Sequence, residues 1–190
     1  MYKRQLVESG LARQADADTY DVHDLIREFL LRSLSTALRE EFHGKCAEWY
    51  QKQTSSYEVQ IELIYHAIKS SQFEAASEIV VNDGRQLVSQ GYMELLGLIE
   101  QIEVDDLTSS VVIRMAQLQG DILALLGRLN EAETVLNDTL ERAQSTAGEL
   151  VQAEILSSLA DVSRKQGNSE LSLNRHKAAL KLSLIHISEP

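Results

Sequence analysis

The sequence predicts an all-α protein, and three observations carry the prediction. The chain has 190 residues and one proline, and that proline is the final residue, Pro190. No interior position therefore holds the residue that breaks helices most strongly. Leu, Ala, Glu and Gln, all good helix formers, dominate the composition. From Asp24 onward apolar residues recur at i, i+3 and i+4, the spacing of one helical face.

The first segment differs from the rest. Leu6 to Ser9 reads as the end of a helix stopped by Gly10. Leu11 to Arg13 and Thr19 to Val22 are short extended runs around the polar turn Gln14 to Asp18, a small hairpin. Leu25, Ile26, Phe29, Leu30, Ser33 and Leu34 then share a helical face. A second helix, about Ser35 to Gln53, carries Leu38, Phe42, Ala47, Trp49 and Tyr50. The loop Gln53-Thr-Ser-Ser56 is the expected domain boundary.

Paired helices follow. Glu58 to Lys69 and Phe73 to Val81 form one expected pair, broken at Ser70-Ser71 and ended at Asn82-Asp-Gly84. Gln86 to Ser89 and Met93 to Ile102 form a second around Gly91. Asp105-Asp-Leu-Thr-Ser109 reads as a turn with capping residues. Four longer helices come next: Ser110 to Leu126, Asn130 to Gln144, Glu149 to Lys165 and Ser169 to Lys181, punctuated by Gly127, Gly148 and Gly167.

These four contain an internal repeat. Gly120-x-x-Leu123-x-x-x-Gly127 aligns with Ala160-x-x-Ser163-x-x-x-Gly167, and Ala132, Leu136 and Thr139-Leu140 align with Ser172, His176 and Ala179-Leu180. The two glycines stand 40 residues apart. The small-glycine-small spacing resembles the tetratricopeptide repeat, stretched beyond that family's usual ~34 residues. The resemblance implies a right-handed α-α superhelix of helical hairpins. The alternative is an ordinary helical bundle.

Composition excludes several function classes. With 18 basic and 29 acidic side chains the formal net charge is −11, which argues against nucleic acid or an anionic membrane as the main partner. Aromatics make up 5% of the chain, too few for a stacking platform on single strands. No apolar run approaches the ~18 residues of a membrane span. The single cysteine, Cys46, excludes an internal disulfide framework and fits a reducing cytoplasm.

Both ends are expected to be foreign to the native protein. Residues 182–190, Leu-Ser-Leu-Ile-His-Ile-Ser-Glu-Pro, match one frame of the transposase end sequence used to prepare shotgun sequencing libraries. Residues 1–5, Met-Tyr-Lys-Arg-Gln, match a frame of its reverse complement. Read as sequencing scars, they leave the chain an internal fragment of a longer gene and give His186 no functional role. Such a fragment is expected to expose apolar surface at both ends.

The block Tyr20-Asp-Val-His-Asp-Leu-Ile-Arg-Glu-Phe-Leu30 resembles the end of the winged-helix domain in the STAND class of signalling ATPases. In that class a hydrophobic-His-Asp triplet, here Val22-His23-Asp24, opens a helix at the wing. The helix with His43, Ala47 and Tyr50 is similar to the one that follows. Glu62 to Ile68, Phe73-Glu-Ala-Ala76 and Gly91-Tyr92 resemble the helical arm between ATPase and sensor, and also the arm of the large maltose-regulator-like transcription factors. The likeness divides the chain into a winged-helix end with its following helix (6–53), an arm (54–107) and tetratricopeptide-like repeats (108–181). The family's phosphate-binding Gly-x-x-x-x-Gly-Lys-Ser/Thr is absent from this chain. No hydrolysis is assigned to it, and ATP or ADP is expected only in the parent protein.

Within that resemblance, His23 would meet the β-phosphate of bound ADP and hold the closed state. A histidine suits the task because it donates hydrogen bonds and titrates near neutrality. The alternative is that His23 caps the helix beginning at Asp24 or packs on the wing. Asp24 is placed as an N-cap. His43 and Cys46 stand three apart on one helix, a spacing that can hold a metal, but two more ligands are needed and no second Cys or nearby His in the sequence supplies them. No metal is expected. His66 lies among Ile61, Leu63, Ile64 and Ala67 and reads as packed or interfacial. Asp105-Asp106 reads as capping, and Glu40-Glu41 as a solvated helix face.

The functional expectation is a regulatory, ligand-sensing and protein-interaction segment of a nucleotide-dependent switch. A protein, peptide or small molecule would sit on the concave helical surface, with an upstream ATPase domain as the second partner and an oligomer possible in the parent. The alternative is a segment of a maltose-regulator-like transcription regulator whose DNA-binding domain lies elsewhere. No enzyme motif is present in the chain.

Overall fold

The computed structural model describes residues 7, 10–14, 20–22, 24–53 and 56–188. The fold is all-α behind one small hairpin. Strands β1 (Ala12–Gln14) and β2 (Tyr20–Val22) pair antiparallel, with Ala12 opposite Val22 and Gln14 opposite Tyr20. They are the only β structure among the described residues.

Nine helices follow among those residues. They are α1 (Asp24–Ser33), α2 (Thr36–Gln51), α3 (Tyr57–Lys69), α4 (Phe73–Ser89), α5 (Leu95–Ile99), α6 (Ser109–Leu125), α7 (Leu129–Thr146), α8 (Glu149–Lys165) and α9 (Ser169–Ser188). Serines open two of them. The Ser35 and Ser56 hydroxyls accept from the Leu38 and Val59 amides at 3.3 Å each, satisfying a donor that the first turn leaves free. From α2 onward the long helices pack mainly on their sequence neighbours, α2 on α3, α3 on α4, α6 on α7, α7 on α8 and α8 on α9; α4 also meets α6, and α6 meets α8.

One turn recurs at four helix ends. Ser71, Gly91, Gly127 and Gly167 all take left-handed backbone, with φ of 59°, 98°, 78° and 84°. In each case the next residue's N–H reaches back five residues: Gln72 to Ala67 at 2.8 Å, Tyr92 to Leu87 at 3.2 Å, Arg128 to Leu123 at 2.9 Å and Asn168 to Ser163 at 2.9 Å. This is the left-handed helix stop, which satisfies a free carbonyl and reverses the chain within three residues. Gly127 and Gly167, aligned by the sequence repeat, occupy the same place in the same turn.

Three helices have bounds that differ clearly from expectation. Asn82-Asp83-Gly84 does not end a helix; α4 runs through it to Ser89. Gly84 is buried there, and a Cβ added to it would press on the Leu118 side chain of α6. It is a close-approach residue and not a terminator. Gln86 to Ser89 is accordingly the last turn of α4, and the expected Met93–Ile102 helix shrinks to α5. α9 extends past Lys181 to Ser188, through a tail whose Leu and Ile residues are compatible with helix.

The core runs from Ile64 in α3 to Val162 in α8. Ile64, Val80, Leu87, Leu95, Ile122, Leu136 and Ile155 are fully buried. Gly120 faces Leu136, and a Cβ built on it would lie 2.5 Å from Leu136 Cγ. Ala132 and Ala160 are fully buried and Ser172 nearly so. Ala47 is the one buried residue of α2, whose Leu38, Phe42 and Trp49 stay exposed.

Candidate functional site

The His23 position falls outside the described residues, as do the tip of the hairpin and residues 1–5. The features that the described residues do bring together lie elsewhere, in an open groove and in a histidine cluster.

The groove, about 530 Å³, is lined from α4, α6 and α8. Helical spacing explains its make-up. Gln117, Asp121, Ala124 and Leu125 fall on one face of α6, and Glu154, Ser157, Ser158, Asp161 and Lys165 on one face of α8. Arg85 projects from α4, where the helix continues past Gly84. The lining therefore comes from α6, from α8 and from the helix α4 that packs on α6.

Most of its charges are already engaged. Arg164 Nη2 donates to Asp161 Oδ1 at 3.0 Å. Lys165 Nζ donates to the Ala124 carbonyl at 2.9 Å, tying α8 to the end of α6. Arg85 stands 3.9 Å from Glu154, a loose pair. Asp121 has no basic partner at ion-pair distance among the described residues. Burial pushes its carboxyl above the ordinary range, against the Ser158 hydroxyl and the charges of Arg85 and Lys165, with Asp161 adding to the rise. One turn earlier, Gln117 is 3% exposed and lines the same groove. Its carboxamide makes no hydrogen bond to the described residues. Neither Gln117 nor Asp121 stood out in the sequence. A polar residue at a position with the helix's own apolar period was the available signal.

The histidine cluster joins α2 to α3. His43 Nδ1 and His66 Nδ1 lie 2.8 Å apart in a hydrogen bond, so one ring carries its proton on Nδ1 and the other presents a lone pair there. Tyr50 stacks on His66 with centroids 5.5 Å apart, and Tyr65 meets His43 edge-on at 5.7 Å. The sequence offered His43 no histidine partner, and the fold supplies one 23 residues away. His66 is interfacial, as its apolar neighbours implied. Burial lowers the pKa of both rings, assisted by Lys69 at His43 and by His43 at His66. The Glu62 carboxylate, 3.8 Å from His66 Nε2 and half-exposed, does not offset this. Cys46 is half-buried on the same helix as His43. Among the described residues no group of three or more His, Cys, Asp or Glu is placed to hold a metal.

No helix among the described residues is long and apolar enough to cross a membrane. Comparison with known protein families, with curated proteins and with solved structures finds no match.

Proposed function

We propose that this chain is the ligand-sensing, protein-interaction segment of a cytoplasmic nucleotide-dependent switch of the STAND kind. Its helical pairs form a tetratricopeptide-like right-handed superhelix, and its groove receives the signal. The observation that supports this most directly is the four-fold recurrence of one helix stop at Ser71, Gly91, Gly127 and Gly167. Identical reversals between short helix pairs are what a stacked array of hairpins requires. The polar groove across α4, α6 and α8 supplies a concave surface with unsatisfied chemistry.

In such a protein the ligand works by population shift, favouring the open ATPase only as far as it binds that state more tightly. The Val22-His23-Asp24 triplet would hold the opposite state through the ADP phosphate. One charge-assisted hydrogen bond there is worth ~1.5–3 kcal/mol. His23→Ala in the full-length protein should thus loosen ADP about ten- to a hundred-fold and raise activity without ligand.

The test has two arms. The flanking gene sequence should encode a Gly-x-x-x-x-Gly-Lys-Ser/Thr loop upstream of residue 6, and its absence from the complete reading frame overturns the proposal. Calorimetry of the present chain with ADP should give no heat of binding, because the phosphate-cradling loop is not in it. Tight ADP binding to this chain would overturn the role given to His23.

A further inference from the structure

The groove holds two polar groups that the protein itself leaves incompletely served. Gln117 is only 3% exposed, lines the groove, and makes no hydrogen bond to the described residues. The Gln117 carboxamide atoms are not sealed from water, so they open onto the groove and can bond a ligand there. Asp121 lies one helical turn further along the same face, facing Ser158 but no cation at ion-pair distance among the described residues.

We propose that the α4–α6–α8 groove binds a cationic peptide segment, with Asp121 the counter-ion of its lysine or arginine and Gln117 hydrogen-bonded to an amide of the same segment. The inference rests on reading this groove as the ligand surface, and it names the ligand class.

Three arguments select a cation over an anion. Two of the three basic groups around the groove are committed, Arg164 to Asp161 and Lys165 to the Ala124 carbonyl, and the third, Arg85, faces Glu154 loosely at 3.9 Å. An anionic ligand would have to draw Arg164 or Lys165 off those bonds or compete with Glu154 for Arg85, whereas a cation takes up the Asp121 carboxylate, which feels Arg85 and Lys165 but has neither at ion-pair distance. Secondly, the net charge of −11 attracts cationic segments at long range and repels acidic ones. Thirdly, a lysine or arginine beside Asp121 returns to its carboxylate the favourable field that burial removes. A carboxamide carries both donor and acceptor, so it complements a peptide group and fixes the chain beside the anchored cation.

The test uses the full chain and three capped pentapeptides, acetyl-Ala-Ala-X-Ala-Ala-amide, with X lysine, norleucine or glutamate. Titration calorimetry should give a millimolar or tighter Kd for lysine and at least about tenfold weaker binding for the other two, the scale of one desolvated charge pair. Asp121→Asn and Gln117→Leu should each weaken the lysine peptide by about the same factor while the melting temperature holds or rises. Equal binding of lysine and norleucine on the unmodified chain overturns the inference, whatever the variants do. Preference for the norleucine or glutamate peptide, lost in Gln117→Leu, would leave the groove as a ligand surface and remove its cation selectivity. Absence of binding by all three peptides would overturn this inference, while the ligand-sensing reading stands or falls on the upstream loop and the ADP titration.

Discussion

The Arg175 guanidinium of α9 donates from Nη2 to Glu133 Oε1 of α7 at 2.9 Å, across 42 residues of chain. Its Nη1 donates to the Leu159 carbonyl of α8 at 3.1 Å and to the Ser163 hydroxyl. Gln166 Nε2 donates to the other oxygen of Glu133 at 3.0 Å. One arginine therefore ties α7, α8 and α9 together. The pair is mostly buried, with side-chain exposures of 15% and 29%, so its loss is felt more than that of a surface ion pair.

Arg175→Ala should cost about 2 kcal/mol, the scale of lost charge-assisted hydrogen bonds with a carboxylate left behind. Glu133 has a pKa below the ordinary range, held there by the Gln166 hydrogen bond and then by Arg175. A depressed carboxyl adds stability above its unfolded pKa and loses it as pH falls through the folded value. Glu133→Gln should therefore flatten the acid limb of the stability profile. Denaturant melts from about pH 7 to about pH 3, spanning the carboxylate range, check both. An unchanged acid limb would remove Glu133 from this role.

The His43–His66 bond makes a prediction of the same sign. Both rings have lowered pKa values, burial being the first cause in each. The unfolded chain therefore binds protons first as pH falls, and stability declines from the ordinary histidine pKa of ~6.5 downward. A second proton on the pair would set two N–H donors against each other at 2.8 Å. Proton NMR should show His43 and His66 titrating below the ordinary histidine value of ~6.5, with α2 separating from α3 as they do so. Titration of both rings at or above that ordinary value would contradict the burial and the bond.

Asp121 runs the other way. Its folded pKa is raised, chiefly by burial, so the folded chain holds its proton to higher pH than the unfolded chain. Stability then falls as pH rises through that window and stays lower above it. Asp121→Asn should raise the melting temperature at neutral pH while weakening ligand. Unchanged or lowered stability would show that the carboxylate is better accommodated than its burial implies.

Gly120→Ala should cost ~1–3 kcal/mol by overpacking, because the new Cβ meets Leu136 Cγ at 2.5 Å. Truncating Leu136 to Ala in the same chain should relieve part of that cost. A double-mutant cycle measures the coupling, and strict additivity would mean that the two helices do not press on each other there.

Ser71 holds left-handed backbone, at φ 59°, in a turn where the three equivalent positions are glycine. Ser71→Gly should stabilise the chain by about 0.5–1 kcal/mol, the scale of relief from a strained non-glycine φ. Thermal unfolding of the single variant reads it directly.

The all-helical fold was legible because it is written locally. The 3.6-residue period, serines at helix starts and glycines at helix ends each act within a few residues. The alignment of Gly127 with Gly167 required nothing but the chain, and both occupy the same left-handed turn. Gly84 shows where local reading ends. An Asn-Asp-Gly run favours a helix end in isolation, yet here α4 continues through it and packs Gly84 closely on the Leu118 side chain of α6.

By itself the sequence determined that helices form, where most of them turn, and that the surface carries an acidic excess. The tertiary structure alone decided which side chains meet. His43 finds His66 over 23 residues, and Arg175 finds Glu133 over 42. Gln117 and Asp121 come to line a groove only when α4 and α8 close on α6. The physical reason is range. Propensity and capping are set by neighbours along the chain, whereas burial, unpaired polar groups and pKa shifts depend on partners that folding brings together from distant positions.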